Sequence, residues 1–182
     1  MLEKRKTIET KKLAQATILT ALAVALSPIF FPVGPTKCLP WQHMVNVLAG
    51  ILLGPLYAVV VATVAGVLRN LLGTGTIFAF PGGIPGALIV GLVHKFLQKA
   101  APRWSDLAAF TEPIGTGLIG AALSALIVAP IALGYGVIKT VMPLTGFIIA
   151  FSVSSIAGTI LGFLALIALR KSGVAPQGQP RQ

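Results

Sequence analysis

Acidic side chains are almost missing from this chain; Glu3, Glu9, Asp106 and Glu112 are all it has. With so few carboxylates, acid–base catalysis has little to work with, and no enzyme activity is expected. A proton- or sodium-coupled carrier is also poorly supported, because such proteins keep a carboxylate or an ion site near the membrane midplane. The single cysteine, Cys38, excludes an internal disulfide and a cysteine metal cluster. The two histidines, His43 and His94, fall on opposite sides of the membrane in the topology argued below, so they cannot share a metal. No HExxH or GxSxG motif is present. A GxxxxGK[ST] phosphate loop is missing too, so the chain has no evident means of hydrolysing ATP. The glycine-rich GTGTIFAFPGG lacks both the lysine and the strand-to-helix context of a nucleotide loop. No cofactor and no metal are expected.

What is abundant is apolar sequence. Of 182 residues, 55% are hydrophobic and only 10% charged, with a mean hydropathy of +0.92. Apolar runs approach the roughly 20 residues needed to cross a ~30 Å hydrocarbon core. These features describe one polytopic, all-α membrane domain. The formal net charge of +10 does not point to nucleic acid, because Lys and Arg sit at segment ends, where they meet lipid headgroups and set topology. The start, MLEKRKTIETKKLAQ, resembles a signal peptide. No small-residue cleavage site follows it and further spans do, so it reads as a retained first helix.

The chain divides into a basic cytoplasmic segment (1–12), a six-helix membrane domain (13–171) and a polar, disordered cytoplasmic tail (172–182). Helix 1 is expected from about Leu13 to Phe31, ending at Pro28 and Pro32. A loop, Val33–Gln42, precedes a long apolar stretch, Met44–Leu72, interrupted by Gly54-Pro55. Helix 4 covers about Ile84–Leu97, helix 5 about Pro113–Leu133 and helix 6 about Val141–Leu169. Charge bias settles the Gly54-Pro55 question. With two helices there, six spans put both termini inside, with eleven Lys and Arg residues on that side. Only Lys37, Arg69 and Lys139 remain outside. With one kinked helix the split is seven to seven, which offends the excess of cationic residues on cytoplasmic loops. Six transmembrane helices are therefore expected. Small residues recur at four-residue spacing, as in Gly50 and Gly54, Gly82 and Gly86, Gly117 and Ala121, and Gly158 and Gly162. Such pairs let helix backbones approach closely in lipid.

Candidate binding residues gather on the outer side. Lys37, Trp41, Gln42, His43 and Asn46 come from the first loop and the start of helix 2. Arg69, Asn70, Thr74, Thr76, Phe78 and Phe80 come from the next outer loop and its flanks, and Tyr135, Lys139 and Thr145 from the last. Aromatic rings with amide and hydroxyl partners suit a small flat heterocycle. For Trp41, Tyr135 and Arg69 an interface anchor is an equal reading. Glu112 is expected at the inner interface, favouring the start of helix 5 through the helix dipole. A neutral ligand needs no buried carboxylate, and none is expected on the outer side.

The stretches VGPTKCLPWQHMVNVLAGILLGPLYAVV, LRNLLGTGTIFAFPGG and EPIGTGLIGA resemble the ThiW family. Its members are substrate-binding S components of energy-coupling factor (ECF) transporters, associated with the thiazole precursor of thiamine. The resemblance spans roughly Ala14 to Arg170. It implies a six-helix bundle in the cell membrane that captures hydroxyethylthiazole from outside. It further implies partnership with a transmembrane T component and two cytoplasmic ATPases. An AxxxA pattern on helix 1, matched by Ala21 and Ala25, would dock on the T component. A pyrimidine precursor is the alternative ligand. A self-sufficient facilitator or channel for small polar solutes is the alternative from a different class.

Overall fold

The computed structural model describes residues 2–33 and 36–175. It is nearly all helix, and six helices build it. α1 is Leu2–Ala25, α2 Pro40–Leu53, α3 Pro55–Leu71 and α4 Ile84–Ala100. A 3-10 coil, Pro102–Thr111, leads into α5, residues 112–134, and α6 is Leu144–Lys171. Two stretches of α5, Gly115–Gly120 and Ser124–Val128, are wound as wider π turns. The apolar stretch between 44 and 72 is two helices. Gly54, at φ 90° and ψ 174°, ends α2 in a conformation that favours glycine, and Pro55, which has no N–H to leave unpaired, starts α3.

Successive helices alternate in direction. Lys12, midway along α1, sits over the Tyr57 ring near the start of α3, and Ser27 reaches Thr74 just past the ends of both helices. Those two helices therefore run parallel. Gln42, at the start of α2, meets Arg69, at the end of α3, so this pair is antiparallel. Asn46 reaches Gly83 while Gly50 lies against Val90 and Gly91, which sets α2 parallel to α4. Gly115 packs on Gly86 and Gly120 on Pro81, turning α5 back along α4. Finally Gly117 abuts Ser152 while the Phe110 and Phe163 rings lie 5.0 Å apart, so α6 reverses again.

Two boundaries differ from the sequence reading. Helical structure begins at Leu2, so the basic segment is the first half of α1. It ends at Ala25, six residues short of Phe31, and the first loop is a small antiparallel hairpin. Strand β1 (Phe31–Val33) pairs with β2 (Thr36–Cys38), Pro32 opposite Lys37. Proline fits an edge strand of this kind, where no ladder partner needs its N–H. The expectation for the tail concerns residues that lie, from 176 onward, outside those described.

The bundle is apolar outside, and its largely apolar core also encloses a set of polar side chains. Leu56, Val60, Leu92, Phe96, Leu126, Val153 and Ile160 are exposed, whereas Gln42, His43, Asn46, Arg69, Glu112, Thr116 and Thr159 are buried. Contiguous exposed apolar surface on this scale is what a lipid solvent demands. Among the described residues, three helical stretches have the length and composition to cross a membrane: Ile77–Ala100, Pro102–Gly134 and Leu144–Lys171. α2, with 14 residues, and α3, with 17, are shorter than the ~20 residues that a perpendicular crossing takes.

Candidate functional site

At the end of the bundle that carries the hairpin, a hollow opens among α2, α3, α6 and the segment before α4. It is narrow, with a cavity volume of about 20 Å³ inside about 320 Å³ of space between atoms that includes open solvent. Lys37 and Leu39 of the hairpin edge border it, and Gln42 and His43 come from the first turn of α2. Arg69 and Thr76 stand on one side, Phe78, Ala79 and Gly82 on another, and Phe151 and Ser154 of α6 close it. The aromatic side is pre-packed: the Phe78 and Phe147 rings are 4.9 Å apart, and Phe147 and Phe151 5.8 Å. Such tilted and edge arrangements suit aromatic quadrupoles.

The polar side is held just as firmly. Arg69 Nη1 donates to Gln42 Oε1, and Gln42 Nε2 donates to the Ala79 carbonyl at 3.2 Å. His43 Nδ1 donates to Glu112 Oε1 at 2.7 Å, which leaves Nε2 for other partners. The same Glu112 oxygen accepts from Asn46 Nδ2 at 3.0 Å and lies 2.9 Å from the Thr116 hydroxyl. Asn46 Nδ2 also donates to the Gly83 carbonyl at 3.0 Å. Glu112 is fully buried, and its Oε2 and Asn46 Oδ1 have no protein partner. α2, α4 and α5 are thereby tied together beneath the hollow. Two glycines permit it. A Cβ at Gly86 would come within 2.5 Å of Glu112 Oε1, and one at Gly83 would collide with the Gln42 amide.

The expected binding residues separate into four groups. Lys37, Gln42, His43, Arg69, Thr76 and Phe78 line the hollow. Asn46 lies one turn deeper, in the network with Glu112. Trp41, Asn70, Thr74 and Phe80 hold structure instead. Trp41 Nε1 donates to the Ile29 carbonyl and pins the hairpin, and Asn70 Nδ2 donates to the Gly66 and Thr76 carbonyls. Thr74 bonds Ser27 and the end of α3, and the Phe80 ring packs on Gly66. Tyr135 is 84% exposed, and Thr145 is exposed as well; neither borders the hollow. Two further expectations are corrected. Arg69 is no interface anchor, since it is 1% exposed and lines the hollow. Glu112 stands in the first turn of α5 as expected, but it sits in the core bonded to His43 and not at the inner interface. Nothing in the sequence singles out Thr116, Phe151 and Ser154, since one residue on an apolar helix does not announce which face it occupies.

Residues 13–172 match the family model described as thiamine-precursor transporter protein (ThiW). The chain belongs to the ThiW family. No curated protein and no solved structure matches it. ThiW is a transporter family, which with the apolar helices makes this chain a multi-pass membrane protein with a small-molecule cargo. The hollow is the place in this ThiW bundle where aromatic rings and hydrogen-bonding side chains converge.

Proposed function

We propose that this chain is the substrate-binding S component of an ECF-type transporter, taking up the thiazole precursor of thiamine. The observation that carries the reading is the hollow itself. It is open at one end of the bundle, walled by Phe78 and Phe151, and furnished with His43 and Gln42. A thiazole ring would lie against the aromatic wall and accept a hydrogen bond through its nitrogen. A shared T component and two ATPases would supply the energy that this chain has no phosphate loop to harvest. The bundle then crosses the cell membrane six times with both termini in the cytoplasm and the hollow outside. A self-sufficient channel fits less well, because the Glu112 network and the close glycine contacts fill the space beneath the hollow. A pyrimidine precursor would use the same wall and donors.

Two measurements test the proposal. Affinity purification from native membranes is expected to bring down a second membrane protein and two ATPases; a chain that transports alone in liposomes would refute the S-component reading. In the binding experiment, His43→Ala is expected to weaken thiazole binding about ten- to a hundredfold, the effect of losing one buried polar partner worth about 1–3 kcal/mol. Unchanged affinity in a folded variant would remove His43 from the site.

A further inference from the structure

Two cations, Arg69 and Lys37, line the hollow, and no carboxylate does. Arg69 is 1% exposed, yet what its guanidinium meets is neutral. Nη1 donates to Gln42, and Nε has no partner at all. Lys37 Nζ is likewise held by neutral groups, the Gly73 carbonyl at 3.2 Å and the face of Phe30 at 4.5 Å. The one buried carboxylate nearby, Glu112, belongs to His43, Asn46 and Thr116 and stands behind them. Arg69 is in neither the His43–Glu112 nor the Arg170–Asp106 ion pair, and among the described residues no carboxylate is paired with it. A buried charge left without a counter-charge is strongly unfavourable, and a binding site is where a ligand can provide one.

We propose that the ligand of this site carries an oxyanion, a carboxylate or a phosphate monoester on the small azole, which Arg69 binds with Lys37 in support. This rests on the thiazole reading above and sharpens it, replacing a neutral alcohol with an anionic relative. Guanidinium offers a planar fork matched to either kind of oxyanion, and a site shut away from water makes that pairing stronger. Phe78 and Phe151 would face the ring while Arg69 and Lys37 hold the charged substituent. A cationic ligand such as thiamine would meet like charge here and bind poorly.

Calorimetry on the purified full chain in detergent separates the possibilities. The probes are neutral hydroxyethylthiazole, its phosphate monoester, 4-methylthiazole-5-carboxylate, thiamine, and hydroxymethylpyrimidine with and without phosphate. The variants are Arg69→Gln and Arg69→Lys, each checked for folding by thermal melting. At least one anionic thiazole is expected to bind about tenfold or more tightly than the alcohol. Which anion leads tells carboxylate from phosphate. The preference is expected to fall towards unity in Arg69→Gln and to return in part in Arg69→Lys. Should Arg69→Gln fail to fold, the wild-type ratio and Arg69→Lys carry the same test. An alcohol that binds as tightly as both anions overturns the inference and leaves the thiazole reading standing. Arg69-dependent binding of pyrimidine phosphate, with no thiazole bound, overturns the thiazole reading and upholds the oxyanion site. If none of the probes binds, both fall.

Discussion

Glu112 shows how one side chain can tie two helices together. Its Oε1 receives His43 from α2, Asn46 from the next turn of α2, and Thr116 from its own helix, with no solvent to share the charge. Removing one member of a buried charged set leaves the others unpaired, which costs about 3–5 kcal/mol. Glu112→Ala is therefore expected to lower the melting temperature markedly and to loosen the His43 edge of the hollow. A variant as stable as the parent would show that the network is not what holds α2 to α5. Cys38 makes a second case at this scale. Its thiol is buried and donates to the Ala150 carbonyl at 3.2 Å, and burial pushes its pKa above the usual thiol value. The thiolate is the reactive form, so maleimide labelling is expected to be slow in the folded protein and fast after denaturation. Rapid labelling of the native chain would contradict the buried placement. Placement on the first loop was readable from the sequence, but burial was not, because α6 supplies the cover.

The elements were read well where local chemistry fixes them and poorly where distant contacts do. Gly54-Pro55 announces a break that no neighbour could override, and the break is there. The glycines at GxxxG-like spacings mark close approaches except Gly54, where a Cβ would meet nothing within 4 Å, and their uses differ. Gly158 accepts the start of α2, with a Cβ there falling 2.5 Å from His43 Cβ, whereas Gly86 makes room for a buried carboxylate. Periodicity cannot tell these apart. Tyr135 and Thr145 were expected at the site because they flank an outer loop, yet that loop turns their side chains to the surface. α1 presents Ala21 and Ala25 outward while Ala23, between them, is buried. A small exposed stripe is what a docking T component would need, and an indole there would hold its helix away. Ala21→Trp and Ala25→Trp are thus expected to abolish uptake in the assembled transporter while ligand binding by the isolated chain persists. Normal uptake by both variants would place the docking surface elsewhere.

For the whole molecule, the alternation of helix direction and the scatter of charge lead to the same arrangement. The hairpin end holds Lys37, Arg69 and Lys139, the last on the loop whose Ile138 packs beside Cys38 and Phe78. The opposite end holds Lys12, Lys95, Lys99 and Arg103, with Arg170 paired to Asp106. Contacts inside the bundle know nothing of the membrane, whereas the excess of Lys and Arg on cytoplasmic loops reflects only insertion. Their agreement supports the proposal above, in which the hollow faces outside and the basic end lies in the cytoplasm. The shortness of α2 and α3 does not oppose this, since short helices can be met by local thinning of the bilayer and by protein neighbours. Replacing Cys38 with serine and introducing single cysteines at exposed Lys139 and exposed Lys99 gives a direct check. An impermeant maleimide applied to intact cells is expected to label the cysteine at position 139 at once, and that at position 99 only after permeabilisation. The reverse pattern would invert the bundle and turn the hollow into a cytoplasmic site. Labelling of both without permeabilisation would place the two ends on the same side and break the six-span topology.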